Sequence, residues 1–169
     1  VITVVYTGRP ELDACRKALR GDDVHFVPLG WPCDLGVSIG GSHIFSQLEI
    51  DGARCGIVNL HFAPLPEYRG RYSAGHALRN GERMFGVTLH YVDARIDTGP
   101  IIATRPFRIR DGETVDTLRE RAFAAGVALF LEYAPRLLDA ARHGWMLPST
   151  PQDESRARYY DRASIALLR

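Results

Sequence analysis

Asn59-Leu60-His61 closes an apolar run, Gly56–Leu60, that reads as a β-strand. On extended chain, residues two apart face the same side. A carboxamide and an imidazole therefore share one space at a strand end. In open α/β sheets the crevice at the carboxyl ends of the strands is where ligands bind. Transfer of a carbonyl group to an amine calls for such a pair. The carbonyl oxygen becomes an oxyanion, which a fixed amide N–H or an imidazolium stabilises. The amine must lose a proton and the leaving nitrogen must gain one, work suited to a group titrating near neutrality. Asp97, in Ile96-Asp97-Thr98-Gly99-Pro100, offers a third partner. A carboxylate beside the imidazole would hold its orientation, and Gly99 and Pro100 set the turn that presents it. The same residues also suit a plainer reading. Asn-x-His at a strand end is commonly hydrogen-bonded structure, and Asp before Thr-Gly-Pro is a common turn or cap. Spacing alone does not bring the three together.

The elements that must position them can be read along the chain. Val1–Tyr6 is a β-branched, apolar strand, ended by Thr7-Gly8-Arg9-Pro10. Pro10 suits the first turn of a helix, and Glu11–Leu19 has helical apolar spacing. Strands follow at Asp23–Leu29, Leu35–Ile39 and Gly56–Leu60, with a weak helix around Ile44–Leu48. Pro64–Gly70 reads as a loop, and a helix over Ser73–Asn80 stops at Gly81. Val87–Val92 and Ile101–Ile109 are strands joined by the loop Asp93–Pro100. Thr114 to about His143 is one long helix, or two broken at Pro135. These elements predict an α/β fold, a reduced Rossmann-like, mostly parallel sheet with a C-terminal β-hairpin and long helix. One link is cramped. Only Gly30–Asp34 separates two strands, whereas a parallel crossover usually takes about a dozen residues. Either Asp23–Leu29 is no ordinary parallel strand, or the link crosses the sheet edge as bare extended chain.

Composition narrows the class. The 169 residues suffice for one domain, with 46% hydrophobic and 24% charged residues and a formal net charge of +1. No broad basic surface calls for nucleic acid. Arg156, Arg158, Arg162 and Arg169 cluster near the C-terminus but lie among Asp153, Glu154 and Asp161, as on a solvated helix face or tail. No run approaches the roughly 18 apolar residues of a membrane span, and no signal-peptide pattern opens the chain. Cys15, Cys33 and Cys55 are odd in number and lack CxxC spacing, so they read as reduced thiols of a cytoplasmic protein rather than disulfides or a metal site. His76 and His90 read as surface or hydrogen-bonded core residues, although His76 could approach an acceptor.

The run Asn59-Leu60-His61-Phe62-Ala63-Pro64-Leu65-Pro66-Glu67-Tyr68-Arg69-Gly70 closely resembles the core motif of the folate-dependent formyltransferases. Asn80-Gly81-Glu82, Gly86–His90 and Ile96–Pro100 continue the resemblance in order. Cys33–Ile39 is similar to the strand before that family's folate loop, and Pro151–Ser155 to its segment after the long helix. The resemblance spans about residues 33 to 160 and implies the formyltransferase fold over a single catalytic domain, residues 1–169. It implies 10-formyltetrahydrofolate as formyl donor and Asn59, His61 and Asp97 as the catalytic set. It places the pterin between His43-Ile44-Phe45 and Val92-Asp93-Ala94. Peptide groups would read its polar edge, with Ile44 and Phe45 on its flat face; plain core packing is the other reading of those two.

Asn59 arrives earlier than is usual in that family, so one or more βα elements are expected to be absent and the acceptor side to be altered. The wording around Asn59 looks most like the sugar N-formyltransferases. The expected acceptor is therefore a small-molecule amine, the amino group of a nucleotide-linked sugar. An aminoacyl group on a carrier protein is the alternative, and tRNA is a poor candidate at this net charge. Hydrolysis of the donor to formate and a silent folate-binding module are the rival functions. No membrane partner is expected; the tail (Tyr159, Tyr160, Arg162) suggests a possible homodimer.

Overall fold

The computed structural model describes residues 1–9, 12–28, 30–161 and 163–164. Six strands form the main sheet: β1 (Ile2–Gly8), β2 (Val24–Val27), β3 (Leu35–Ile39), β4 (Ile57–His61), β6 (Met84–Tyr91) and β7 (Ile101–Arg108). Their order is β2-β1-β3-β4-β6-β7. The pairs β2–β1, β1–β3 and β3–β4 are parallel, while β4–β6 and β6–β7 are antiparallel. The fold is thus a reduced, mostly parallel α/β sheet carrying a β6–β7 hairpin and a long helix, as the sequence pattern predicts. A second, two-stranded sheet pairs β5 (Arg69–Gly70) with β8 (Tyr159–Tyr160). The first lies inside the expected loop, and the sequence pattern predicts neither.

β1 lies between β2 and β3. β2 ends level with Val5 and β3 begins level with Val4, so the link passes over β1 in mid-strand, with no helix among its described residues. β2 is an ordinary parallel strand, and the link is short and helix-free as the second reading requires, but it is bent and passes over an interior strand instead of the sheet edge. The crossing chain is satisfied by other means. Asp34 Oδ2 accepts from Thr3 N (2.7 Å) and Thr3 Oγ1 (3.0 Å), and Asp34 N donates to Thr3 O (3.0 Å). Arg54 pairs with Asp34 Oδ1 at 2.7 Å. Every residue of β3 is buried, which explains why its sequence lacks alternation.

Among the described residues, four α-helices pack around the sheet: α1 (Asp13–Ala18), α2 (Gln47–Asp51), α3 (Ser73–Arg79) and α4 (Val115–His143). Pro10, Glu11 and Leu29, used in the sequence reading, lie outside the described residues, as do Arg162 and Arg169. α2 starts later than expected because Ser46 and Glu49 form a capping box, leaving residues 44–45 outside the helix. α4 is a single helix with Pro135 inside it. Leu118, Ala122, Leu129, Phe130, Leu137 and Leu138 make one buried stripe, and that packing outweighs the backbone bond lost at Pro135. Gly126 lets α4 seat on the strand end beside the site, since a Cβ there would lie 2.6 Å from the Phe62 ring.

The two faces of the sheet are unequal. Val4, Val37, Val58 and Leu60 join α1 and α4 in the main core. Val5 and Ile57, pointing the other way, pack with Cys33, Phe45 and Ala53 in a thin second core. No helix among the described residues is long and apolar enough to cross a membrane.

Candidate functional site

A cleft of about 1500 Å³ opens at the carboxyl ends of β1, β3 and β4. Thr7 to Arg9, Ser38, Gly40 to Phe45 and Asn59 to Phe62 line it from those ends, and Val92 to Asp97 line it from the loop after β6. All nine residues singled out from the sequence therefore border one space.

Asn59, His61 and Asp97 converge. His61 Nδ1 lies 3.5 Å from Asp97 Oδ2, an ion-pair contact longer than a hydrogen bond. His61 Nε2 lies 2.7 Å from the Tyr68 carbonyl. A carbonyl only accepts, so Nε2 carries a proton. A second proton on Nδ1 would meet the Asp97 carboxylate, so the doubly protonated ring has an oxygen at each nitrogen. Asp97 Oδ2 also accepts the Gly70 N–H at 2.9 Å. Asp97 has φ 55°, in the left-handed region that Asp and Asn tolerate better than most side chains. The turn behind it is close-packed. A Cβ on Gly99 would lie 1.9 Å from the Tyr91 carbonyl oxygen, so only glycine fits.

His90 is the member that sequence reasoning missed. It pairs with Asn59 across β4–β6, and its Nε2 lies 3.0 Å from Asn59 Nδ2. Its Nδ1 lies 2.7 Å from the Tyr91 carbonyl, which fixes the proton on Nδ1. Burial pushes the His90 imidazole down to about 4 from its ordinary 6.5. Asp97 opposes that shift and His61 adds to it. His90 is thus neutral, its Nε2 accepts, and the Asn59 amide donates. This fixes the amide's orientation; its other N–H has no partner among the described residues. Asp97 Oδ1 lies 3.7 Å from His90 Nε2, outside hydrogen-bond reach. The usable signal was Gly86–His90 itself: alternation along β6 puts Thr88 and His90 on one face. Thr88 there ties down the turn after His61, donating to Ala63 O at 2.9 Å and accepting from Leu65 N at 3.2 Å.

The six expected pterin contacts differ in exposure. Phe45 is 8% exposed and belongs to the second core, edge-on to Trp31 and His43. Ile44 is 66% exposed. His43 Nε2 is held by Glu49 Oε1 at 2.8 Å, and Glu49 also receives Trp31 Nε1 and the Ser46 N–H. The Ser46 backbone N–H is the main cause that lowers the Glu49 carboxyl to about 2. On the other wall, Val92 N–H is committed to Ile57 O. The Asp93 carboxylate is occupied locally, accepting from Thr98 Oγ1 and Arg95 N–H. The Ile44, Phe45, Asp93 and Ala94 amides have no partner among the described residues, and both stretches border the cleft. Such donors fit the polar edge of a flat heterocycle.

His76 faces away from this chemistry. It is buried, stacks on Tyr160 at 4.2 Å and lies 2.9 Å from Ser164 Oγ. Burial lowers its imidazole. Tyr160 stacks on Tyr68 as well, so this tail aromatic packs within its own chain, while Tyr159 stays exposed.

Known proteins share this architecture. Residues 32–133 match the family model described as formyl transferase. The methionyl-tRNA formyltransferase of Macrococcus caseolyticus is 34% identical over 131 residues, 78% of this chain and 41% of that protein. The chain thus spans less than half the length of this curated relative. An N-formyltransferase from Helicobacter canadensis, solved with folinic acid and dTDP-3-aminofucose, superposes with a TM-score of 0.82 at 19% identity, covering 96% of this chain and 72% of that one. A formyltransferase from Anoxybacillus kamchatkensis, solved with UDP-4,6-dideoxy-4-formamido-L-AltNAc and tetrahydrofolate, gives 0.78 at 22% identity, covering 98% and 89%. At these identities the structural likeness speaks for the fold; the family model covers more than half of the sequence. The chain belongs to the formyl transferase family.

Proposed function

We propose that this chain, as one catalytic domain over residues 1–169, transfers a formyl group from 10-formyltetrahydrofolate to a primary amine. The observation that carries the reading is the convergence of Asn59, His61, His90 and Asp97 on one wall of the cleft. Bound there, the folate supplies a formyl carbon activated on a nitrogen. The backbone of His43, Ile44, Phe45, Val92, Asp93 and Ala94 would hold its pterin. The new amine–carbon bond forms as the carrier nitrogen–carbon bond breaks, so one proton leaves the amine and one reaches the carrier nitrogen.

The residues divide this work. Asn59 offers its remaining amide N–H to the formyl oxygen, held in place by His90. His61 takes and returns the proton, with Asp97 beside Nδ1 and the Tyr68 carbonyl at Nε2. As acceptor we favour a nucleotide-linked amino sugar. Arg9, Arg71, Arg79, Arg95 and Arg119 line the cleft and suit a diphosphate, and the two solved neighbours hold such ligands. A second reading, an aminoacyl acceptor, rests on the higher identity to a methionyl-tRNA formyltransferase.

The test is a screen of amines against 10-formyltetrahydrofolate, read as release of tetrahydrofolate. Amino-sugar nucleotides, methionyl-tRNA and carrier-bound amino acids form its arms. Turnover restricted to the sugar arm supports the favoured acceptor. Rapid formate release with no amine present would replace transfer by hydrolysis.

A further inference from the structure

The left-handed backbone of Asp97 is held by a residue far along the chain. Gln152 Nε2 donates to the Asp97 carbonyl (2.9 Å) and to the Gly99 carbonyl (2.8 Å). Its Oε1 accepts from Arg69 Nε (3.1 Å) and Nη2 (2.8 Å). Arg69 is itself buried and makes a two-pronged pair with Glu154, at 3.0 and 2.7 Å. The next residue, Gly70, returns to the start by donating its N–H to Asp97 Oδ2. Main chain and carboxylate of Asp97 are therefore gripped from two sides, and Arg69 joins the grips.

The side chain chemistry is specific. Two carbonyls ask for two protons, and a guanidinium asks for a lone pair. A planar amide supplies all three, whereas a carboxylate supplies only lone pairs. The β5–β8 pairing brings the parts together. Arg69 N and Arg71 N donate to Arg158 O (3.0 Å) and Tyr160 O (2.8 Å), so the Gly70 N–H between them points away, toward Asp97.

We propose that Gln152, oriented by Arg69, is a positioning residue that sets the aim of the Asp97 carboxylate at His61. This deepens the formyl-transfer reading and rests on it for the role of Asp97. It assigns a task in the chemistry to the segment after α4, which reaches Asp97 through Gln152.

Gln152→Glu keeps the shape and the Arg69 contact but removes both donations. In the folded, ligand-free variant, hydrogen exchange at the Gly70 amide should rise roughly tenfold or more. The Arg69 and Arg71 amides should keep their protection. In turnover, kcat should fall roughly 10- to 100-fold with the donor KM little changed. In an Asp97→Asn background the same substitution should add no further loss. Gln152→Leu serves as a second variant without added charge. Unchanged Gly70 exchange in both variants overturns the proposal. So does joint loss of protection at residues 69, 70 and 71, which marks an undocked tail. A fully active Asp97→Asn variant would instead overturn the reading of Asp97, while the Gly70 exchange would still decide whether Gln152 sets its geometry.

Discussion

Asn59 and His90 face each other across the β4–β6 pair, and the Asn59 amide donates to a histidine that burial keeps neutral. A buried neutral imidazole ties stability to pH. Its folded value, about 4, lies below the 6.5 of the open chain. Below 6.5 the unfolded chain therefore binds a proton that the folded chain refuses. The contribution is complete above pH 6.5 and is lost as pH falls toward about 4. Urea midpoints measured from pH 7.5 to 4.5 should decline in the native protein and flatten in His90→Gln. Equal slopes in the two proteins would remove His90 as the source.

His61→Asn and Asp97→Asn should each lower kcat by roughly 10²–10⁴-fold. Because the two groups touch at 3.5 Å, their effects should not multiply. Tetrahydrofolate release by the double variant should sit close to that of the weaker single variant. Independent, multiplying losses would mean that the pair does not act as a unit.

Two glycines separate strain from collision. At Gly81 (φ +69°) a Cβ meets nothing within 4 Å, so Gly81→Ala should cost only the left-handed backbone, about 1–2 kcal/mol. At Gly99 the added carbon would lie 1.9 Å from the Tyr91 carbonyl oxygen. Gly99→Ala should cost more, roughly 2–4 kcal/mol, and should also displace Asp97 and reduce turnover. Denaturation midpoints with activity for both variants check the contrast; an active, stable Gly99→Ala protein would contradict it.

Glu49 organises one wall of the cleft through Ser46, His43 and Trp31. Glu49→Ala should loosen residues 43–46 and raise the donor KM roughly fivefold, the equivalent of about one hydrogen bond, with kcat little changed. A fall in kcat alone would place Glu49 in a different role. The carboxyl's low value, about 2 against 4.5 unfolded, adds an acid limb of its own. Its contribution stands above pH 4.5 and disappears as pH drops toward 2.

Local patterns in the sequence carry much of this fold. Leu35–Ile39 appears with the expected ends because a fully buried run between turn residues has few other uses. Thr114 and Gly144 bracket α4 as capping chemistry requires. At α2 two local signals compete: the apolar Ile44 draws the expected helix forward, while Ser46-x-x-Glu49 spells the capping box that sets its true start. Asn59 and His61 sharing one space follows from strand geometry, and the resemblance is what joins Asp97 to them. The remaining parts are long-range. His90 joins Asn59 through strand register, and Gln152 reaches Asp97 across 55 residues of sequence. Neither register nor such a reach leaves a periodic trace in the chain.

The left-handed backbone at Asp97 has an evolutionary consequence. Glycine, asparagine and aspartate occupy that conformation at little cost, whereas β-branched residues resist it. Position 97 thus filters substitutions twice, once for shape and once for charge. Saturation mutagenesis sorted for soluble expression should return Gly and Asn beside Asp, while sorting for turnover should return Asp alone. Lineages that keep the scaffold but abandon its chemistry have a single-step exit through Asp97→Asn or Asp97→Gly, with the Gln152 grip on the backbone carbonyls left in place.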